Sequence, residues 1–520
     1  MRIGRIEHFF ILGILSVKLQ SLAITVAAAA MTISAPALAQ DASLEARFQI
    51  LEQRIQALEA QNQELREELE AEPESREAVP ALRAPQAVPP APVQAIATEQ
   101  SPDGIVGTNS AYSYKILDHS ENVNTRPLVQ LNAIANGQLK NRVTLSGGAT
   151  VLMDKQWSNT ADKFGYLMRN PTSANQIGKD VSEAVIHSAQ LAVTARLDDD
   201  FTAYAELLYD PQQSFGQGTI TALTRNQIQL RRGWVMFGNL EKRPVYALVG
   251  KMDTPFGLND SVSPFTNSTS WHAFSGLAYG AQVGLETNGL SLRAMAIQGG
   301  AQFRAANVPV NGTSVPSRLN NFAVDARYTT SLGGEGNQIM AGASYQHGSA
   351  YCQGYPVVHF TPCQDNNPEW AAYGKVNYGD LTLIGEYAST TKPLPGSAVP
   401  IPNNPLSAFP AVKTEAFTAG GRYAFGPKSS SQQGRQFAVS GEFSKFIAGA
   451  DGAPWERQNQ AVFGLSWFAS ANINLFSEFV HVDGFVPLNF LSGGNFPDGS
   501  TWSDRDANTN VALVGAQVAF

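Results

Sequence analysis

The sequence has little charge, little cysteine and, beyond its N-terminal region, no long apolar run. Charged residues make up 15% of the 520 residues, and the net charge is −8, which argues against a nucleic-acid partner. After the N-terminal region, no stretch reaches the roughly 18 consecutive apolar residues that a transmembrane helix requires. If the protein crosses a membrane, it must therefore cross with strands.

Cysteine is limited to Cys352 and Cys363. In an oxidising compartment we expect a disulfide between them, with two free thiols as the alternative. The histidines are scattered, and the sequence contains no metalloprotease, nucleophile-elbow or phosphate-loop motif. We therefore expect no enzymatic activity, no cofactor and no metal. A serine hydrolase would need a serine and a histidine on the outer wall, and His187 is the only hint of one.

Residues 1–39 have the three parts of a secretory signal peptide. Basic residues Arg2 and Arg5 precede an apolar stretch from Leu22 to Ile33, and Ala37-Leu38-Ala39 is an A-x-A cleavage site. This pattern predicts cleavage after Ala39 and export of the mature chain, with an uncleaved signal anchor as the alternative.

Residues 40–72 have the heptad pattern of a short coiled coil. Apolar positions are spaced alternately by four and three residues from Leu44 to Leu69, and Asn62 occupies one a position. A polar residue at a fixes register and strand number at some cost in stability. The pattern predicts a homo-oligomer without fixing the number of helices, and a single amphipathic helix is the alternative. The size of the expected barrel favours a trimer. Residues 73–110, rich in Pro and Ala, predict an extended linker that keeps the coiled coil in the periplasm.

From about residue 111 to Phe520 the period changes to two. In one such run Phe322, Val324 and Tyr328 alternate with Asp325 and Arg327. This alternation is typical of strands that face lipid on one side and a water-filled lumen on the other. The sequence predicts an all-β transmembrane barrel of 16–18 antiparallel strands preceded by the α-helical coiled coil, with Tyr112–Leu117 as a candidate extra strand.

The C-terminal stretch Val511 to Phe520 alternates apolar and small residues and ends on an aromatic ring. Outer-membrane barrels end in this way, because the last strand must pair with the first and leave no open edge in lipid. We expect Phe520 to be a barrel-closing signal and the C-terminal strand to bind the barrel-assembly machinery.

The connections between strands alternate short and long, as in outer-membrane barrels. Asn288-Gly289 predicts a two-residue type I′ hairpin turn. The long connection from Asp253 to Ala273 is rich in Ser, Thr and Asn and is predicted to fold into the lumen. Its constriction candidates are Asp253, Phe256, Asn259, Asp260 and Trp271.

The side chains expected to line the pore have mixed charge, which predicts passage of neutral or zwitterionic solutes; ion pairs that stiffen the wall are the alternative for any one of them. An anion-selective constriction would instead need a ring of one sign. The candidates are Arg196, Glu206, Arg231, Arg293, Asp325, Arg327, Lys375, Glu386, Arg422, Glu442 and Glu478.

The stretch from Arg231 to Leu258 resembles the LbtU-type siderophore porins. It has a G-N-L-x-K-x-P-x-Y turn followed by G-K-x-x-x-P-F-G, and the second part also occurs in phosphate-selective porins. The matching residues are Gly238, Asn239, Leu240, Lys242, Pro244, Tyr246, Gly250, Lys251, Pro255, Phe256 and Gly257. The resemblance covers the signal peptide, the coiled coil and the first half of the barrel, and implies passage of ferric chelates without a plug domain.

Taken together, these features predict a porin of the bacterial outer membrane, in contact with its lipids and passively admitting small hydrophilic solutes, including ferric siderophores. Two alternatives remain. One is a general or anion-preferring porin of the phosphate type. The other is an envelope tether whose barrel is mainly an anchor.

Overall fold

A computed structural model describes most of the chain from residue 104 onward. The expected signal peptide and coiled coil, and the linker up to residue 103, lie outside the described residues. The described ranges are 104–117, 120–161, 164–166, 178–209, 228–298, 301–303, 306–308, 319–334, 336–352, 366–393, 410–453, 456–485, 488 and 506–520.

A closed antiparallel barrel of 16 strands forms the wall. Consecutive wall strands pair with one another, and the last wall strand pairs with the first, which closes the barrel. The predicted fold is confirmed, with a strand number at the lower end of the predicted range. The wall strands are β2 (Val143–Ser158), β3 (Asp180–Arg196), β4 (Phe201–Tyr209), β5 (Ile228–Gly238), β6 (Val245–Asp253), β7 (Leu277–Thr287), β8 (Leu290–Gln298), β11 (Leu319–Ser331), β12 (Gln338–Gln346), β13 (Glu369–Tyr378), β14 (Leu381–Thr390), β15 (Glu415–Lys428), β16 (Arg435–Ile447), β17 (Arg457–Ser470), β18 (Ile473–Gly484) and β19 (Ala507–Ala519).

In the part of the chain that the structure describes, the remaining elements are three short strands and three helices. Strand β1 (Val106–Thr108) pairs in parallel with β2, and β9 (Ala301–Phe303) pairs with β10 (Ala306–Val308). The helices are α1 (Ser110–Leu117), α2 (Arg126–Ala135) and α3 (Thr269–Phe274). None of the helices in the described ranges is both long and apolar enough to cross a membrane.

The extra strand predicted for Tyr112–Leu117 is wrong, because these residues form α1. The strand wall accordingly begins at Val143, later than residue 111. Alternating polar and apolar residues in a short segment fit a strand and a single helical face equally well, so periodicity alone could not separate the two.

The predicted alternation of faces is regular along β11. Phe322, Val324 and Tyr328 have exposed fractions of 43%, 39% and 53%, whereas Ala323 and Asp325 between them are 0% and 3% exposed. Outward apolar side chains recur around the wall, whereas the inner face has polar and charged side chains together with apolar ones that pack against the segments inside. The barrel is therefore apolar outside and mixed in polarity within.

Bulges in β3 and β5 change which of their residues face the lumen. His187 is skipped in the pairing of β3 with β2, and Arg231 is skipped in the pairing of β5 with β4. A bulge adds one residue to one strand, so the faces exchange beyond it. His187 consequently lies inside and contacts the ring of Phe265, with centroids 4.8 Å apart. Its expected place on the outer wall is wrong.

Short turns lie at one end of the barrel and long connections at the other. The predicted type I′ turn has φ angles of +46° at Asn288 and +81° at Gly289, which glycine and asparagine tolerate. Residues 197–200, 332–337, 379–380 and 471–472 also connect strands at this end. Phe520 lies there too, and it exchanges backbone hydrogen bonds with Gly147 of β2.

Candidate functional site

The connection between β6 and β7 crosses the barrel interior. The backbone N–H groups of Leu258 and Asn259 donate to the two carboxylate oxygens of Glu386, at 2.8 and 3.0 Å. Glu386 lies on β14, which is far around the wall from β6 and β7. A segment that starts on β6 can reach this side chain only through the lumen.

Two further carboxylates hold the same connection. Glu442 of β16 accepts hydrogen bonds from the Ser261 hydroxyl and the Val262 N–H, at 2.8 and 2.9 Å. Glu478 of β18 accepts from the N–H groups of Phe265 and Thr266, at 2.7 and 3.0 Å. Each carboxyl group thus accepts two hydrogen bonds from neighbouring residues of the connection. Glu386, Glu442 and Glu478 therefore hold this loop against the far wall of the barrel.

Glycine is required at position 257, where the connection approaches the wall. Gly257 has φ +67°, and a Cβ there would lie 2.2 Å from a carboxylate oxygen of Glu386. Asn259 is also left-handed, at φ +56°, a conformation that asparagine adopts more readily than most residues. The P-F-G part of the sequence motif thus shapes the entry of the loop into the lumen.

The other constriction candidates have different positions in this loop. Phe256 is fully buried and faces Phe274, with ring centroids 6.3 Å apart. Trp271 lies in α3, which begins after Ser268; the Ser268 hydroxyl accepts from the Trp271 N–H at 3.1 Å and caps the helix. Outside this loop, Tyr166 is buried, and its hydroxyl forms a 3.3 Å hydrogen bond with the hydroxyl of Thr266 in the loop.

The segment before the barrel also lies in the lumen. The Tyr112 hydroxyl pairs with Thr194 of β3 at 2.8 Å, and the Tyr114 hydroxyl donates to Gln517 of β19 at 2.8 Å. Gln130 of α2 donates to Thr202 of β4 and accepts from Trp234 of β5. These contacts reach several strands, so residues 110–117 and 120–139, here named the N-terminal plug, occupy one side of the barrel interior.

Apolar packing adds to these hydrogen bonds. Ile116 and Leu131 of the N-terminal plug are 0% and 1% exposed and belong to one cluster with Trp234, Met236 and Leu248 of the wall. Burial of each large apolar side chain stabilises the folded state by roughly 1.5–3 kcal/mol. The sequence predicted an extended linker up to residue 110 and then a strand, so these two helices inside the barrel were not predicted. The sequence contains a signal for α2, since Pro127 follows Arg126 at the helix start.

An ion-pair network joins the plug, the loop and the wall. Arg232 makes a bidentate pair with Asp253 at 2.6 and 2.8 Å, and also pairs with Glu206 at 3.1 Å. Arg126 of the plug lies 3.5 Å from Asp253. Sequence reasoning selected Arg231 and missed Arg232, because the bulge at Arg231 brings the following residue onto the inner face.

A second network lies on the four neighbouring strands β8, β11, β12 and β13. Asp325 accepts from Arg293 at 2.6 Å, from Arg327 at 3.3 Å and from Ser344 at 2.7 Å. Tyr373 also donates to Asp325. These predicted pore-lining residues are paired with one another, as expected for ion pairs that stiffen the wall.

The third charged group joins all three parts of the molecule, and we name it the junction cluster. It consists of Glu121 of the plug, Asp260 of the loop, Lys375 of β13 and Arg422 of β15. The Lys375 Nζ lies 3.4 Å from Glu121 and 3.5 Å from Asp260, and Arg422 pairs closely with Glu121. All four side chains are largely buried, with exposed fractions of 10–20%.

Two cavities adjoin the junction cluster. The larger, of about 500 Å³, opens toward the short-turn end and is lined by α1, α2, β13 and the turn at Asp380. The smaller, of about 210 Å³, lies on the other side, between the loop and β11–β13. Lys375 and Asn377 line both. At the mouth of the larger cavity, a hydrogen bond from Arg435 lowers the pKa of Asp380. This carboxylate is therefore ionised at neutral pH.

Two remaining predicted residues lie away from this cluster. The Arg196 guanidinium donates to the Leu139 carbonyl oxygen at 3.0 Å, at the end of the plug. Cys352 is disulfide-bonded, and Cys363 lies outside the described residues. In the described ranges, no group of three or more His, Cys, Asp or Glu side chains is placed to hold a metal ion.

No family model matches the chain, and no curated protein sequence matches it. Among solved structures, the chain is similar to the anion-selective porin of Comamonas acidovorans, over 73% of this chain and 99% of that one, with 12% identity and a TM-score of 0.43. It is similar to Pseudomonas putida OprB over 72% and 94%, with 10% identity and a TM-score of 0.42. The trimer form of Vibrio cholerae OmpT matches over 73% and 100%, with 12% identity and a TM-score of 0.41. At these values the similarities carry no functional argument.

Proposed function

We propose that the protein is a porin of the bacterial outer membrane that passively admits small hydrophilic solutes. The observation that carries this proposal is the closed 16-stranded wall with apolar side chains outside and polar side chains inside. A closed barrel satisfies every backbone group between strands, which is a requirement for strands that cross lipid. A barrel of this size is wide enough to enclose an aqueous channel.

The passage is narrow, because the N-terminal plug and the β6–β7 loop both occupy the lumen. The two cavities beside the junction cluster adjoin each other and share Gln338, Lys375 and Asn377 of β12 and β13, which supports a route between the plug and that wall. We infer that solute passes there, and that Lys375 lies at its narrowest point. This route gives the predicted constriction residue Asp260 a direct role.

Ferric chelates are the specific cargo that the resemblance of Arg231–Leu258 to siderophore porins supports. The test measures uptake of ferric chelates, sugars and amino acids by a strain that lacks the protein, before and after the protein is expressed in it again. Restored uptake of a ferric chelate alone would support this cargo, whereas equal restoration of all solutes would leave a general porin.

Channel activity is tested by recording from the purified full chain in planar lipid bilayers. The proposal predicts discrete conductance steps in neutral salt. A chain without its coiled-coil stretch Leu44–Leu69 is the matched variant, because its barrel is unchanged and it should still conduct. Folded, inserted protein that passes no ions would contradict the porin proposal and would favour the envelope tether.

A further inference from the structure

We propose that the cationic side of the junction cluster is a binding site for the carboxylate of a small anionic solute, and that Glu121 of the N-terminal plug occupies this site as an internal competitor. The inference deepens the proposed porin function and rests on it for its biological role. Its binding test, however, is independent of ion conduction.

The first step is the asymmetry of the cluster. Its cations, Lys375 and Arg422, are both on the wall, whereas its two carboxylates arrive on separate internal segments. Glu121 belongs to the connection between α1 and α2, and Asp260 belongs to the β6–β7 loop. The wall therefore presents a positively charged pair, which the plug and the loop neutralise.

The second step is that other acidic side chains of the wall are engaged elsewhere. Glu386, Glu442 and Glu478 accept hydrogen bonds from the loop backbone, Glu206 pairs with Arg232, and Asp325 pairs with Arg293. These side chains bind fixed parts of the protein. Displacement of Glu121 would thus remove one of the two carboxylates that Lys375 contacts in the junction cluster.

The third step is the strength of the contacts. The Lys375 Nζ lies 3.4 Å from Glu121 and 3.5 Å from Asp260, which is longer than a strong charge-assisted hydrogen bond at about 2.7–2.9 Å. A carboxylate that could approach Lys375 more closely would gain energy from replacing these contacts. Arg422 pairs closely with Glu121, and its planar guanidinium suits a carboxylate of either origin.

The fourth step is the space around the cluster. The cavities of about 500 and 210 Å³ meet at Lys375 and share three amide side chains, Asn122, Gln338 and Asn377. Amides both donate and accept hydrogen bonds. They would bind the hydroxyl or carbonyl groups of a solute whose carboxylate lies at Lys375. The chemistry points to a small, polar carboxylic acid.

The experiment measures binding of citrate to the detergent-solubilised full chain by isothermal titration calorimetry. Glu121→Gln removes the competing charge and should bind citrate about tenfold more tightly than the wild type, the size of a charged hydrogen-bond contribution. Adding Lys375→Met to this variant should abolish the gain. Glu241→Gln, the same chemical change on an exposed turn, is the control and should match the wild type.

A second variant guards against misfolding of the first. Asp260→Asn removes the loop carboxylate from Lys375 and should also tighten citrate binding, and mannitol should show no difference among the variants. Unchanged citrate affinity in folded Glu121→Gln and Asp260→Asn would overturn the inference. So would a gain that survives Lys375→Met.

Bilayer recordings separate this inference from the porin proposal. In a salt gradient, Glu121→Gln should shift the reversal potential toward chloride, and citrate should block its current more strongly than that of the wild type. A channel that conducts without these differences would defeat the anion site and leave the porin intact. Absence of all current, with tighter citrate binding retained, would defeat only the porin.

Discussion

At the residue scale, side chains that sequence reasoning assigned to the pore wall hold internal segments in place. Glu442 on β16 has the right face and the right charge for a pore-lining residue, and it binds Ser261 and Val262 of the loop. The residue type and its face could be predicted from the alternation. Its partner could not, because nothing local in the sequence relates β16 to a loop some 180 residues earlier.

Substitution of Glu442 by Ala should loosen the loop locally. Ala removes both carboxyl oxygens, so the buried Val262 N–H loses its acceptor, at a cost of about 1–3 kcal/mol. Hydrogen exchange should become faster at the Val262 amide, while the Leu258 amide, held by Glu386, keeps its rate. Glu241→Ala is the control; equal exchange rates at Val262 in both variants would show that Glu442 does not hold the loop.

Arg232 lies where two buried carboxylates meet. Arg232→Met should lower the free energy of unfolding by about 3–5 kcal/mol, because buried Glu206 loses its arginine partner and Asp253 keeps only the longer contact to Arg126. Urea unfolding in lipid vesicles measures this change. Arg142→Met, on an exposed position before β2, provides the comparison, and a similar small loss in both would show that the network contributes little.

At the element scale, sequence periodicity located the strands well and their exact phase less well. Along β11 the alternation is uninterrupted, so Phe322 and Asp325 lie on the predicted faces. In β3 and β5, a bulge at His187 and one at Arg231 reverse the faces. A bulge depends on pairing with the neighbouring strand, so a single strand's sequence does not show it.

The two plug helices show the same limit. Their apolar side chains pack against the inside of the barrel, as Leu131 does against Trp234 and Met236. Most helical stability in proteins comes from such packing and little from local propensity. The sequence of this segment alone therefore does not predict the two helices, because the wall residues that cover their apolar side chains come from distant strands.

A disulfide between plug and wall tests whether the plug moves. The hydroxyls of Ser113 on α1 and Ser146 on β2 are 2.8 Å apart, which is close enough for cysteines at these positions to form a bond. Oxidised Ser113→Cys/Ser146→Cys should conduct like the wild type in bilayers, because the proposed route passes between the plug and β12–β13 while the plug stays in place. The wild type treated with the same oxidant and reductant is the control. Reduced conductance that a reductant restores would contradict this route and show that solute passes only when the plug moves.

At the scale of the whole molecule, the fold class and closure could be predicted from the sequence, whereas the filling of the lumen could not. Alternation, short turns and the C-terminal strand define a closed barrel because backbone groups in lipid leave few other solutions. How the interior is used depends on long-range contacts between charged groups. These contacts join the plug, the loop and the wall at the junction cluster.

The most direct test of the account compares two adjacent residues on β14. Leu383 is outward and 43% exposed, and Thr382 lines the larger cavity. Spin labels at Leu383→Cys and Thr382→Cys in reconstituted vesicles should differ: the Leu383 label should collide mainly with oxygen dissolved in lipid, and the Thr382 label with a water-soluble nickel chelate. Equal access of the nickel chelate to both labels would contradict a barrel with a lipid-facing exterior and an aqueous interior.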